Sequence, residues 1–305
     1  MTTTAGIWPT GVARTEERLA DSAGLDEMTS LEVLILLNRQ DATVPAAVAR
    51  QLPTVARLVD AADAALAAGG AIHYFGAGTS GRLAVLDAVE LLPTFNLGAG
   101  TVIPHIAGGD TALVRAVENS EDSEDEGAAA AAGLGPHDVA IGLTASGRTP
   151  YVGAALRAAR RAGAVTALIT NNPGAALSAD VDLAIEVDTG PEALTGSTRL
   201  KAGTAQKLVL NGFSTALMVR RGRVWSNLMV SLVATNAKLR DRTVRILAEA
   251  TGRNLDLSHE ALVRADGDLK KALVATLCDV DVDVAHRALT ESSGSVREAI
   301  RALTP

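Results

Sequence analysis

Aromatic side chains are scarce in this chain: three Phe, two Tyr and two Trp stand among 305 residues. A surface that stacks bases needs more of them, and one that neutralises a phosphate backbone needs basic clusters. With a net charge of −7, no nucleic-acid partner is expected. One short basic cluster, Arg220-Arg221-Gly222-Arg223, follows a long apolar segment and reads as a solvated helix end. A single cysteine, Cys278, excludes an internal disulfide framework and reads as a small core residue. The histidines (His73, His105, His137, His259, His286) are scattered without metal-ligand spacing, so no metal is expected. No apolar run is long enough to span a bilayer, and Met1-Thr2-Thr3-Thr4-Ala5-Gly6 lacks the basic and apolar regions of a signal peptide. The expectation is a soluble, cytoplasmic protein with no membrane partner.

Against those absences, glycine and hydroxyl residues are concentrated in two loops. Gly76-Ala77-Gly78-Thr79-Ser80-Gly81-Arg82 follows the apolar run 71–75, and Thr144-Ala145-Ser146-Gly147-Arg148-Thr149-Pro150 follows 138–143. Each reads as strand, loop, helix. Glycine lets main-chain N–H groups approach an anion, the helix N-terminus adds partial positive charge, and hydroxyls donate further bonds. Two such loops in matching positions suggest one shared phosphate site built on Gly78, Thr79, Ser80, Gly81, Ser146, Gly147, Arg148 and Thr149. Gly76, Gly78 and Gly81 do spell G-x-G-x-x-G, but Gly100 and Thr101 stand where a ribose-binding acid belongs, and no Gly-Lys-Ser/Thr closes either loop. A phosphorylated metabolite fits better than a nucleotide.

The surrounding pattern is α/β. Candidate strands at 71–75, 102–106, 138–143, 164–169 and 181–187 alternate with helices near 80–91, 111–119, 149–162 and 203–221, which implies a doubly wound parallel five-stranded sheet with flanking helices. Residues 1–54 read as a helical arm, with a capping box at Thr29 and Glu32 and helix starts at Pro45 and Pro53, that packs on the main domain at 55–222 or on a second subunit. Residues 223–305 read as a small all-helical domain. There Ala261-Leu262 with Gly267-Asp268-Leu269-Lys270-Lys271-Ala272-Leu273 recurs as Ala288-Leu289 with Gly294-Ser295-Val296-Arg297-Glu298-Ala299-Ile300, two related hairpins.

Three further places break local rules. Within the acidic run, Ser123 and Glu126 make a capping box that accounts for Glu124, Asp125 and Glu126, but Glu118 and Glu121 stay unexplained. Glu90 comes near the end of the helix after the first loop, where the dipole opposes a carboxylate. Arg199 and Lys201, in the stretch Thr195-Gly196-Ser197-Thr198-Arg199-Leu200-Lys201-Ala202-Gly203-Thr204, put cations at a helix N-terminus, a conflict that a bound anion would resolve.

These segments resemble, in order, the N-acetylmuramic acid 6-phosphate etherases: Gly76 to Arg82, Leu86-Asp87-Ala88-Val89-Glu90, Ala107-Gly108-Gly109, Ala116-Val117-Glu118, Glu121-Asp122-Ser123, Ala145 to Tyr151 and Thr195 to Lys207. The likeness extends to Thr15-Glu16-Glu17-Arg18, Val44-Pro45-Ala46-Ala47-Val48 and Asn227-Leu228-Met229-Val230. It implies a sugar isomerase (SIS) domain followed by a helical domain similar to ubiquitin-associated modules, a homodimer, and no cofactor. It also implies cleavage of the D-lactyl ether of N-acetylmuramic acid 6-phosphate to N-acetylglucosamine 6-phosphate and D-lactate, with the family's catalytic acid falling on Glu90, its second essential glutamate on Glu121, and Ser197, Arg199 or Lys201 near the substrate's anions. The chain departs from the usual pattern at Leu91-Leu92-Pro93-Thr94, Asn171-Asn172-Pro173 and Trp225-Ser226-Asn227.

The chemistry suits such residues. In the ring-opened sugar the aldehyde acidifies the carbon 2 proton, so a base can remove it while lactate leaves from carbon 3; water then adds with the carboxyl groups in reversed roles. Carboxyls working near neutral pH are expected to sit in a largely closed site that raises their pKa. Two other classes share the features: a non-enzymatic sugar-phosphate sensor like the regulatory protein of glucokinase, and an aldose-ketose isomerase. Lactate release distinguishes them.

Overall fold

The computed structural model describes residues 13–234 and 237–304, so the N-terminal reading at Met1–Gly6 lies outside the described residues. Three helices come first: α1 (Ser30–Asp41), α2 (Val44–Ala49) and α3 (Leu52–Ala67). Thr29 and Glu32 form the reciprocal cap of α1, with Glu32 Oε2 accepting from Thr29 N at 2.7 Å, and prolines stand in the first turns of α2 and α3. The α/β core follows as β1 (Ile72–Gly76), α4 (Gly78–Phe95), β2 (Val102–Ile106), α5 (Thr111–Val114), α6 (Glu124–Ala130), β3 (Val139–Leu143), α7 (Pro150–Arg161), β4 (Val165–Thr170), β5 (Leu183–Glu186) and α8 (Lys201–Arg220). The remaining helices are α9 (Ala237–Thr251), α10 (Leu255–Arg264), α11 (Leu269–Cys278), α12 (Val282–Glu291) and α13 (Val296–Leu303).

All five strands pair in parallel in the order β2-β1-β3-β4-β5. Every residue of β3 is buried, the signature of a central strand covered on both faces. Each strand lies within one or two residues of its sequence-based position. The helix expected over 111–119 does not form beyond Val114. The carbonyls of Leu113 and Arg115 instead accept from Arg82 Nε at 3.2 Å and Nη2 at 3.1 Å, and the chain turns through Asn119 at φ 60°.

Among the described residues, contacts divide the chain into two compact units, one of 13–88 and 100–213, the other of 89–99, 214–234 and 237–304. In the first, the arm packs on the sheet unit. Thr15 donates its N–H to Asn172 Oδ1 at 3.3 Å and accepts from Asn172 Nδ2 at 3.0 Å through its hydroxyl.

In the second, Leu247, Leu262, Leu273, Leu289 and Val296 are among the buried side chains of one core, with Cys278 packed against it. The sequence repeat is a structural repeat. Asp266-Gly267 and Ser293-Gly294 both take left-handed conformations (φ 52° and 79°, 52° and 80°), and the glycine N–H groups close onto Leu262 O at 2.8 Å and Leu289 O at 2.7 Å. Asp268 and Ser295 then cap the following helices.

Candidate functional site

The strand order reverses direction between β1 and β3, so their carboxyl ends form the switch point where open parallel sheets bind ligands. Gly76 and Leu143 are partners in the ladder, and the two glycine-hydroxyl loops therefore leave the sheet side by side. Close packing dictates the glycines here. A Cβ on Gly76 would stand 2.7 Å from Gly81 N, and Gly147, at φ 68°, would press one against Ala175 Cβ.

In the second loop the hydroxyls are organised around Thr144, which is 2% exposed. Thr144 Oγ1 lies 2.7 Å from Thr149 Oγ1 and 3.2 Å from Ser146 Oγ, and accepts from Gly147 N at 3.2 Å; Ser146 Oγ accepts from Arg148 N at 3.3 Å. Helix α7 begins just beyond with no side-chain cap on its first-turn donors. Thr144 is the member that sequence reasoning passed over; its place directly after a fully buried strand was the available signal. Asn172 steadies the loop by donating to Ala145 O at 2.8 Å.

Beside the first loop, Gly78, Arg82, Ala107, Ala112 and residues 116–121 line a cavity of about 390 Å³. Arg82 shapes its wall by holding the carbonyls of Leu113 and Arg115. Glu118 and Glu121 both line the cavity, which brings the two acids left over by capping together beside the first glycine-hydroxyl loop. Both are exposed in the single chain, in contrast to the expected closed site. Ser123 Oγ accepts from Glu126 N at 3.3 Å, which is the Ser123 half of the expected capping box.

The third stretch meets the first loop directly: a Cβ on Gly203, in the first turn of α8, would stand 3.6 Å from Thr79 Cγ2. Its electrostatics differ from the sequence expectation. The anion at this helix start belongs to the chain, because Glu192, fully buried, accepts from Lys201 N at 3.0 Å and Ala202 N at 2.9 Å. Burial holds that carboxyl above its usual range, against the two N–H groups and the Lys201 charge. Lys201 is itself buried, and its Nζ donates to Gln40 Oε1 of α1 at 2.8 Å. Arg199 is exposed and Ser197 half-buried, so these two, not Lys201, are open to a ligand.

Glu90 is also placed differently from expectation. Helix α4 runs on through Pro93 to Phe95, so Glu90 stands inside it and no helix-end conflict applies. It is exposed, and it does not line the cavity that holds Glu118 and Glu121.

Comparisons with known proteins accord with this geometry. Residues 115–216 match the SIS domain family, and residues 54–160 match the glucokinase regulatory protein N-terminal SIS domain. Curated proteins named N-acetylmuramic acid 6-phosphate etherase include one from Thermobifida fusca, 57% identical over 87% of this chain and 87% of its own. Another, from Cutibacterium acnes, is 52% identical over 88% of this chain and 89% of its own. A solved phosphoheptose isomerase from Francisella tularensis superposes with a TM-score of 0.50 at 22% identity, over 63% of this chain and all of that one, a likeness of fold alone.

Proposed function

The chain belongs to the N-acetylmuramic acid 6-phosphate etherase family, and from that premise we propose how its residues divide the work of cleaving the lactyl ether. The phosphate sits between the loops after β1 and β3, held by Thr79, Ser80, Ser146, Thr149 and the open donors of α7, with Gly78, Gly81 and Gly147 allowing close main-chain approach. Arg148, Ser197 and Arg199 meet the remaining phosphate or lactyl oxygens. Lys201 acts indirectly, by fixing the start of α8 against α1.

In the ring-opened sugar Glu121 takes the carbon 2 proton, the carbon 3–oxygen bond breaks as the carbon 2–carbon 3 double bond forms, and Glu90 supplies the proton that the lactate oxygen needs. Water then adds at carbon 3, giving one proton to a carboxylate, while carbon 2 regains its own from the other. Glu118, on the same wall as Glu121, holds a sugar hydroxyl. We place the enzyme in the cytoplasm as a homodimer. A lone thiol in 305 residues accords with a reducing compartment, and the exposed Leu31, Leu34 and Ile35 of α1 and Leu86, Val89 and Leu92 of α4 accord with a covered face.

The observation that carries the reading is identity above 50% along most of the chain to proteins of one name, joined to the cavity that gathers Glu118, Glu121 and Arg82. Incubation with N-acetylmuramic acid 6-phosphate should release D-lactate in equal amount to N-acetylglucosamine 6-phosphate. The match at 54–160 favours one second reading, a sugar-phosphate sensor. Tight binding of the substrate with no lactate would select it.

A further inference from the structure

In the second unit a cavity of about 290 Å³ is lined by residues 230–234, the turn 266–270, Asn96 and Arg223. None of these residues belongs to the loops assigned to the sugar phosphate. Arg223 and Lys270 both reach it half-buried, and their partners are main-chain carbonyls. Lys270 Nζ donates to Gly294 O at 2.6 Å and Gly222 O at 3.5 Å; Arg223 Nη1 donates to Asn96 O at 3.5 Å. Among the described residues neither cation is paired with a carboxylate.

Asp268, on the same wall, accepts from Lys271 N at 3.0 Å and faces Lys271 Nζ at 3.8 Å, and its charge also favours the Lys270 ammonium. Asp266 is exposed on the rim. Burial and the neighbouring Arg223 push the Lys270 amine down to about 8, and burial with Arg221 lowers Arg223. Both cations are partly withdrawn from water and hydrogen-bonded only to carbonyls, and although the Asp268 charge partly favours the Lys270 ammonium, both keep donor capacity for a further anion.

We infer that this cavity binds a small phosphate-bearing anion. The guanidinium fork offers two parallel N–H donors, the ammonium a movable point charge, and the first turn of α11 the N–H groups of Leu269 and Lys270, that of Lys271 being taken by Asp268. Together these match the several oxygens of a phosphate better than the two of a carboxylate, and the volume admits a sugar-sized substituent. The class is phosphate monoesters, with inorganic phosphate its smallest relative. The inference stands independently of the etherase assignment.

Trace acetylation of the intact protein near pH 8, read peptide by peptide in a mass spectrometer, tests it without mutation. Inorganic phosphate and N-acetylglucosamine 6-phosphate should each slow labelling of Lys270 by about tenfold at saturation, leaving the exposed Lys207 and Lys238 unchanged, and D-lactate should not. Protection by the sugar phosphate at far lower concentration would identify the monoester as the ligand; equal potency would identify the phosphate ion. Arg223→Gln should weaken the protection by roughly ten- to a hundredfold and Arg223→Lys much less. Lys270 labelling indifferent to both phosphates, equal protection by lactate, or full protection in Arg223→Gln would overturn the proposal.

Discussion

Glu121 and Glu90 differ in what surrounds them, and their variants should differ accordingly. Glu121 shares its cavity with Glu118 and Arg82, whereas Glu90 lies on an open helix face. With glutamine at either position, turnover should fall by about 10²–10⁴-fold, the usual contribution of one general acid or base. Glu90→Gln should still exchange the carbon 2 proton in deuterated water, and Glu121→Gln should not; the opposite pattern, seen by NMR, would reverse the roles.

A second residue pair should make the protein more sensitive to acid. His73 Nδ1 and His105 Nε2 lie 3.0 Å apart, and His105 stacks on Phe75 with centroids 4.6 Å apart. Burial, then the adjacent His73, lowers His105 to about 4, and burial lowers His73. Both pKa values fall below the unfolded value near 6.5, so the unfolded chain binds protons first. The stability is complete above about pH 6.5 and is lost as pH falls toward 4. Denaturation midpoints measured across that range should drop less for His105→Phe than for the parent, and equal slopes would dismiss the pair as the cause.

At the scale of elements, α8 depends on a carboxylate nine residues upstream. Glu192→Ala strands the buried N–H groups of Lys201 and Ala202 and should cost about 1–3 kcal/mol. Thermal unfolding would show the loss, and Glu192→Gln, which keeps one acceptor, should recover part of it. An unchanged midpoint in Glu192→Ala would rule out the cap.

This same element shows where the sequence was legible. Thr29 with Glu32 lies within one turn, as do the glycine turns of the repeat, so local chemistry settled them. The alternation of strands and helices likewise sufficed for the sheet, and leftover charge pointed to Glu118 and Glu121. By contrast, Lys201 meets Gln40 across 161 positions, and Arg82 stops a helix 31 to 33 residues away. No local pattern encodes such pairings, so the extent of α5, the burial of Lys201 and the role of Glu192 became visible only in three dimensions.

For the whole molecule, the apolar stripe Leu86, Val89 and Leu92 flanks Glu90 on α4. A second copy covering this stripe would bury Glu90 and bring it to a neighbour's substrate. Sedimentation should therefore report a dimer, weakened by Val89→Asp. Mixing the inactive Glu90→Gln and Glu121→Gln proteins should restore roughly a quarter of parental turnover, since half the dimers formed at random are mixed and each of those contains one intact site. No recovery after subunit exchange would mean that each chain uses its own glutamate pair.

The two units ask different things of the chain while it folds. Ile72 must find Val102 and Val139, 30 and 67 positions away, before β1 has neighbours, whereas each hairpin of the helical repeat closes over fewer than 30 residues. Loop-closure entropy burdens the first search far more than the second. Refolding from denaturant should accordingly be biphasic, with helical protection of α10–α13 appearing in the fast phase and strand amides in the slow one. Pulsed hydrogen exchange that found both regions protected together would show that the repeat has no head start. If it does, the helical repeat forms while the sheet is still sorting its order, and the time the enzyme needs to assemble is set by its parallel strands.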